Sequence, residues 1–510
     1  MKPTGLGHVR VRSPDTACAR VESSSKERAG RPVSAACRGG VLSGIVVGGG
    51  ESPLQGEGPD GSTQPAQATP AGHAGSEYRE PTSLRAIANR AKESKHHRFR
   101  NLFGEVNEEL LLHCWRDLNQ DAASGVDGVT AKEYAVGLEA RVADLAQRVK
   151  TGRYRAKLVR RVYIPKEGGK RRPLGIPALE DKLVQRACAK LLGAIYEQDF
   201  LDCSHGYRPG RGAKDTVCEL TFELQYGRYG HVVEADIRGF FEHMDHDWLL
   251  QMLRLRVDDR AFLRLLCKWL EAGVLDTDGQ VLHPGAGTPQ GGIISPVLAN
   301  VYLHHVLDLW FERVVKPRCR GEALLCRYAD DFVCAFRYRS DARRLFEALP
   351  HRLAKFGLGV APEKTQVVRF SRFHPSLRRR LTFLGFELYW FPDRKGVPRV
   401  KRRTARRKLQ GAVHRLKDWV KSHRHLPEQD FVEGLNRRLV GHYNYYGLRG
   451  NSHDLWRFYQ VAIESAFKWL NRRGGKRRSF TWAGFTQALE RLGVARPRIT
   501  EKPRARRVFA

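Results

Sequence analysis

Seven residues constrain this chain more than any others: Arg327-Tyr328-Ala329-Asp330-Asp331-Phe332-Val333. Apolar, strand-favouring residues from Ala323 to Phe336 flank two adjacent acids, the pattern of strand, turn and strand. Two charges beside buried strands are costly unless neutralised, and a divalent cation with hard oxygen ligands, Mg²⁺ above all, is the natural partner. A lone Asp-Asp in a turn is more often solvated turn chemistry. Its weight comes from an acid upstream, Asp236, which ends the strand-like run Val232-Val233-Glu234-Ala235-Asp236 ahead of Ile237-Arg238-Gly239-Phe240-Phe241.

The chain has 510 residues, enough for at least three domains plus tails, and a formal net charge of +34. Basic residues run through most of its length, so a polyanionic partner is expected, nucleic acid ahead of an acidic membrane surface. No stretch reaches the roughly 18 apolar residues of a membrane span. The ten cysteines are scattered without a Cys-x-x-Cys pair, which suggests neither a zinc site nor a disulfide framework but reduced thiols in a cytoplasmic protein.

Residues 1–75 read as a disordered extension, because Gly, Ser, Pro, Ala and Gln dominate residues 39–75 and too little apolar surface is available to offset ordering entropy. Residues 76–150 turn helical and basic. Asn107 reads as the N-cap of a helix running to about Asn119, and Thr130 to Glu133 fits a capping box for another reaching Val149. Residues 158–166 and 170–177 form a cation-crowded strand pair around Glu167-Gly168-Gly169. Such a hairpin suits a triphosphate, with Lys as point charge and Arg as fork, although basic hairpins are usually just solvated or backbone-binding. Apolar residues at 183, 184, 187, 188, 191, 192 and 195 mark an amphipathic helix from Glu180 to Gln198. The loop Ser204 to Gly212, rich in Gly and Arg, suits close approach to a nucleic acid strand.

From about Gly125 to Leu489 the ordered motifs resemble the bacterial group II intron reverse transcriptase/maturase family. The resemblance implies an α+β fold: a right-hand polymerase of fingers, palm and thumb with an antiparallel palm sheet, followed by an α-helical maturase domain. It places fingers and palm in 151–392, thumb in 393–426, maturase domain in 427–490 and a basic tail in 491–510, with 76–150 as an RNA-binding extension. It implies that Asp236, Asp330 and Asp331 are catalytic and hold a pair of Mg²⁺ ions, with the Ile237 carbonyl as an extra ligand. Lys166 and Arg172 resemble the triphosphate-binding pair, and Gln290, in Gly287-Thr288-Pro289-Gln290-Gly291-Gly292, the residue near the dNTP sugar. Phe241 matches the steric gate that excludes a 2′ hydroxyl; its alternative is an ordinary core phenylalanine. Lys364 is either a general acid toward pyrophosphate or a surface salt-bridge partner. Phe383, Leu384 and Gly385 resemble the primer grip. Ser295 is expected to cap a helix reaching about Val315, and Ser340 one reaching Phe356.

Beyond Asp393 Lys and Arg increase, and the helix expected from Thr404 to Ser422 sets Leu409, Val413, Leu416 and Val420 against a basic face suited to a duplex minor groove. Arg437, Arg438, Tyr443, Tyr445 and Tyr446 interleave basic and aromatic side chains in the maturase-like region, and Trp469-Leu470-Asn471-Arg472-Arg473 follows the same pattern. That combination suits RNA, although many of these rings must also serve as helix core. The expected function is RNA-directed DNA synthesis together with binding of the cognate intron RNA for splicing and retrohoming. RNA template, DNA primer or target, and dNTPs are the partners, no membrane is involved, and monomer and dimer remain equally open. The rivals are an RNA-binding splicing cofactor with a vestigial polymerase and a reverse transcriptase outside introns.

Overall fold

The computed structural model describes residues 82–165, 171–283, 285–288, 290–472 and 480–501. The expected disordered extension, Lys166 with its Gly-Gly turn, and residues 502–510 of the basic tail lie outside the described residues. Among the described residues the strands are, in chain order, β1 (Val159–Pro165), β2 (Arg171–Ile176), β3 (His231–Asp236), β4 (Val274–Leu275), β5 (Val281–Leu282), β6 (Ala323–Tyr328), β7 (Asp331–Phe336), β8 (Gln366–Arg369), β9 (Leu381–Phe383), β10 (Phe386–Pro392) and β11 (Pro398–Thr404). They form three sheets within a mixed α+β chain.

The central sheet, ordered β6-β7-β3-β8, is antiparallel throughout. Strand β7 is buried almost end to end and β3 has Val232 and Val233 fully inside, as expected of strands covered on both faces. The helices Leu179–Tyr196 and Ser295–Leu303 contribute to the main core on one side of it, through Leu183, Leu191, Leu298 and Tyr302. A second sheet runs β2-β1-β4-β5, with β1 and β2 antiparallel and β4 parallel to β1. The third, β11-β10-β9, is antiparallel and its Trp390 packs on Phe370 at the end of β8. Beyond it, helices Arg406–Ser422, Glu428–Tyr446, Ser452–Leu470 and Trp482–Arg491 share a core of their own around Leu435, Tyr443, Phe458 and Phe485. No helix among the described residues is long and apolar enough to cross a membrane.

Several helix boundaries differ from the sequence reading. Asn107 does cap a helix, accepting from the Leu110 N–H at 2.9 Å, but that helix ends at Arg116. The Thr130 capping box is present, yet Gly137 at φ +72° breaks the expected long helix into Ala131–Ala135 and Leu138–Lys150. Ser295 lies inside its helix with Ile294 at the cap position, and its hydroxyl is 2.7 Å from that of Thr288. That helix then widens into the π turns His304–Asp308 and Phe311–Val315. Ser340 is likewise interior, the helix running Arg339–Ala354 after Tyr338, and Thr404 closes β11 rather than opening a helix.

Candidate active site

Three acids meet at one end of the central sheet because of register. Asp236, the last residue of β3, is the direct cross-strand partner of Asp331, the first residue of β7. Asp331 also faces Tyr328 across the β6–β7 hairpin, leaving Ala329 and Asp330 as its two-residue turn. Ala329 sits at φ +55°, a left-handed conformation unusual for a residue with a Cβ. The Asp331 and Asp236 carboxyls are within hydrogen-bond reach of each other. Burial, then the neighbouring Asp330 and Asp236 charges, push the Asp331 carboxyl well above the usual carboxylate range, and burial raises Asp330 as well. Both keep part of their surface open.

Lys364 supplies the nearest cation, its Nζ 2.5 Å from Asp236 Oδ2, and that bond raises its own affinity for the proton. Among the described residues no three Asp, Glu, His or Cys side chains close on a ready coordination shell. The donor chemistry nevertheless fits a hard divalent cation: oxygen ligands, excess negative charge, and one acid already holding a cationic group. Ile237 is buried, with its neighbours bonded to the segment carrying Lys364: Arg238 N–H donates to Gly359 O and Ala361 N–H to Asp236 O, both at 2.8 Å.

Facing the acids, Arg172 on β2 donates from Nε to Gln290 Oε1 at 2.7 Å, and Gly175 N–H donates to Gln290 O at 2.6 Å. Gly291, at φ +112°, lies against the Gly175 carbonyl so closely that a Cβ there would come within 2.4 Å of it. The second sheet is thus stitched to the Gly-rich loop, and Arg172 and Gln290 meet there. The same loop fixes Phe241, whose carbonyl accepts from Thr288 N–H at 2.7 Å. The Phe241 ring is buried edge-on against Phe240, leaving 7% exposed.

The sequence reading missed Tyr207. Its hydroxyl is pushed up to about 12, first by burial and then by the Asp330 charge, and its backbone is left-handed at φ +61°. It also missed the polar cradle beneath the turn, formed by Arg327, Asp308, Asn300, Ser204 and Gly206. The one signal available was a charge at position 327, inside a run whose neighbours are apolar on both faces.

Phe383, Leu384 and Gly385 form the β9–β10 turn, with Leu384 and Gly385 both at positive φ. Two of the residues expected to bind RNA brace this turn: Tyr445 donates from its hydroxyl to Leu384 O at 3.0 Å, and Tyr446 packs on Phe386. Tyr443 is fully buried in the helical core and Arg438 lies over the Trp419 ring at 4.0 Å, so of that group Arg437 alone is well exposed. Those rings stabilise the helical core and its seam with β10, a role their spacing could not distinguish from RNA contact.

The acids close one end of an antiparallel sheet, with the Arg172 charge of the second sheet acting on Asp330. Residues 164–388 match the family profile described as reverse transcriptase (RNA-dependent DNA polymerase). The chain is 36% identical over 314 residues to Protein YkfC of Escherichia coli strain K12, covering 54% of this chain and 78% of that one. It is 27% identical over 489 residues to the group II intron-encoded protein LtrA of Lactococcus lactis subsp. cremoris, covering 79% of each. It is also 34% identical over 218 residues to an uncharacterised 91 kDa protein in the cob intron of Schizosaccharomyces pombe, covering 42% of this chain and 26% of that one. The enzyme is an RNA-directed DNA polymerase. The chain belongs to the group II intron reverse transcriptase/maturase family.

Proposed function

We propose that the enzyme copies its cognate intron RNA into DNA at the Asp236, Asp330 and Asp331 cluster, and binds that RNA to assist splicing and retrohoming. The second sheet acts as fingers, the central sheet as palm, Arg406–Ser422 as thumb and the following helices as the maturase domain. The observation that carries the catalytic reading is the register pairing of Asp236 with Asp331, which gathers acids from distant segments at one strand end.

Asp236, Asp330 and Asp331, with the Ile237 carbonyl, would hold two Mg²⁺ ions. Bound there, the ions would make the primer 3′ hydroxyl a better nucleophile and screen the charge on the leaving pyrophosphate. The remaining tasks fall to the chain's own groups. Arg172 and Lys166 hold the triphosphate, Gln290 lies beside the sugar, and Phe241 blocks a 2′ hydroxyl. Lys364 Nζ carries the proton that the departing pyrophosphate takes up, after exchanging its Asp236 bond for the phosphate. The turn 383–385 supports the primer end.

RNA binding is supported by a corner of the helical region where Lys421, Arg424, Lys468 and Arg472 all lie 5.2–5.7 Å from the centre of the Trp469 ring. None of the four has a carboxylate within ion-pair distance among the described residues. Cations so gathered repel one another, and a phosphodiester backbone relieves that repulsion. A charge of +34 would hold such a protein on RNA and the nucleoid in the bacterial cytoplasm.

Primer extension on an RNA template with dNTPs and Mg²⁺, comparing the protein with Asp330→Ala, tests the catalytic assignment. Extension is expected from the unaltered protein alone; equal extension by both would overturn it.

A further inference from the structure

The acidic turn is held by a buried guanidinium. Arg327, at the end of β6, has no exposed surface, and all five of its N–H donors are used. Nε and Nη2 grip the Asp308 carboxylate as a fork at 2.7 and 2.6 Å. Nη2 also donates to Ser204 Oγ at 2.6 Å, and Nη1 to Asn300 Oδ1 and to the Ala329 carbonyl, each at 3.0 Å. Asn300 in turn donates from Nδ2 to Gly206 O at 2.8 Å. Gly206 lies so close under the turn that a Cβ would come within 2.3 Å of the Ala329 nitrogen. The residue before Asp330 is therefore clasped on its carbonyl side by Arg327 and on its amide side by Gly206.

We infer that Arg327 and Asp308, with Asn300 and Ser204, are positioning residues that lock the Ala329-Asp330 turn in its left-handed form and thereby aim the Asp330 carboxylate. The inference rests on Asp330 being catalytic. A fully buried ion pair is a weak device for stability, since desolvation offsets most of its attraction. What this pair does achieve is geometry. A left-handed non-Gly residue persists only where its surroundings over-determine it, and here one guanidinium donor is spent on that residue's carbonyl. The π turn His304–Asp308 serves the same end, because the extra residue per turn rotates Asp308 relative to its place in an uninterrupted α-helix.

The test uses the full chain in single-turnover primer extension on an RNA template, reading rate constant, KM for dNTP, primer-template affinity and melting temperature for Arg327→Lys, Asn300→Ala and Ser204→Ala. The last two leave the Arg327–Asp308 pair in place and guard against simple misfolding. Asp330→Asn runs beside them. The expected result is a rate constant reduced about 100-fold in Arg327→Lys, the scale of a 1 Å misplacement, and reduced less in the other two. KM for dNTP and primer-template affinity should be unchanged, and the Mg²⁺ concentration for half-maximal rate should rise. A rate unchanged in all three variants while Asp330→Asn is inactive would overturn the positioning role alone. Loss of primer-template affinity in parallel with rate would reduce the network to a structural one and overturn it too. Full activity in Asp330→Asn would overturn the catalytic assignment and this inference with it.

Discussion

Asp236 and Asp331 face each other as the last and first residues of paired antiparallel strands, two acids where a sheet ordinarily tolerates no like charges. With Asp330 adjacent, their repulsion is a cost that the single contact of Lys364 with Asp236 offsets only in part. Asp331→Asn removes one charge and keeps the shape. It is expected to raise the melting temperature in EDTA by about 2–4 °C, the equivalent of roughly 1 kcal/mol in a chain of this class. Primer extension should fall at least about 100-fold. A variant both less stable and fully active would contradict this account of the site.

Phe241 is predicted to set sugar selectivity. Phe241→Val keeps a branched apolar side chain in the core and should lower the ratio of kcat/KM for dNTP over rNTP by about ten- to a hundredfold, the worth of roughly 1–3 kcal/mol of steric exclusion. Competition between dCTP and rCTP in primer extension reads this directly. An unchanged ratio would return Phe241 to the role of a core residue.

At the Trp469 corner, replacing Lys421, Arg424, Lys468 and Arg472 together with Gln should flatten the dependence of RNA affinity on salt. Each lost phosphate contact lowers the slope of log K against log salt by about 0.7–0.9. Filter binding of a structured RNA hairpin across a salt series measures it, and extension of a short primer-template should be spared. The slope should be retained when the two arginines become lysines.

Acid should destabilise the chain through its buried imidazoles. His442 stacks on Phe458 at 3.9 Å, and burial, with Arg415 adding to it, lowers its pKa from 6.5 to about 4. The group binds its proton less readily folded than unfolded, so its contribution is complete above pH 6.5 and is lost as pH falls toward 4. That is about 3 kcal/mol for this residue. His205, His304 and His305 are lowered by burial as well and act in the same direction. His442→Phe preserves the stacking, and its melting temperature should fall less steeply than that of the unaltered protein between pH 6.5 and 4.

Period and punctuation carried much of the architecture. The strands at Val159–Pro165, His231–Asp236 and Ala323–Phe336 and the helix Leu179–Tyr196 were legible because alternation, apolar runs and turn residues agreed. So was the meeting of the three acids, through motif order. The break at Gly137 and the π turns after Leu303 were not, because the apolar residues around Gly137 continue the helical period through the break, and a π turn carries no residue signature of its own that marks where the helix widens. The clamp on Arg327 escaped for a different reason. Its partners at 204, 300 and 308 come from separate segments, and only tertiary packing assembles them. Tyr443 and Tyr446 show the converse limit, since an aromatic on a helix looks the same in sequence whether it meets RNA or a neighbouring helix.

Strand β3 lies between β7 and β8, both of which follow it by long stretches of chain. On the ribosome it emerges with neither neighbour yet made, so its two hydrogen-bonding edges and its Val232-Val233 segment wait unpaired through much of translation. Any product ending before Asp331 keeps both edges open, and such fragments are expected to aggregate or to require a chaperone. The same strand order that brings the acids together late makes premature termination hazardous for this chain.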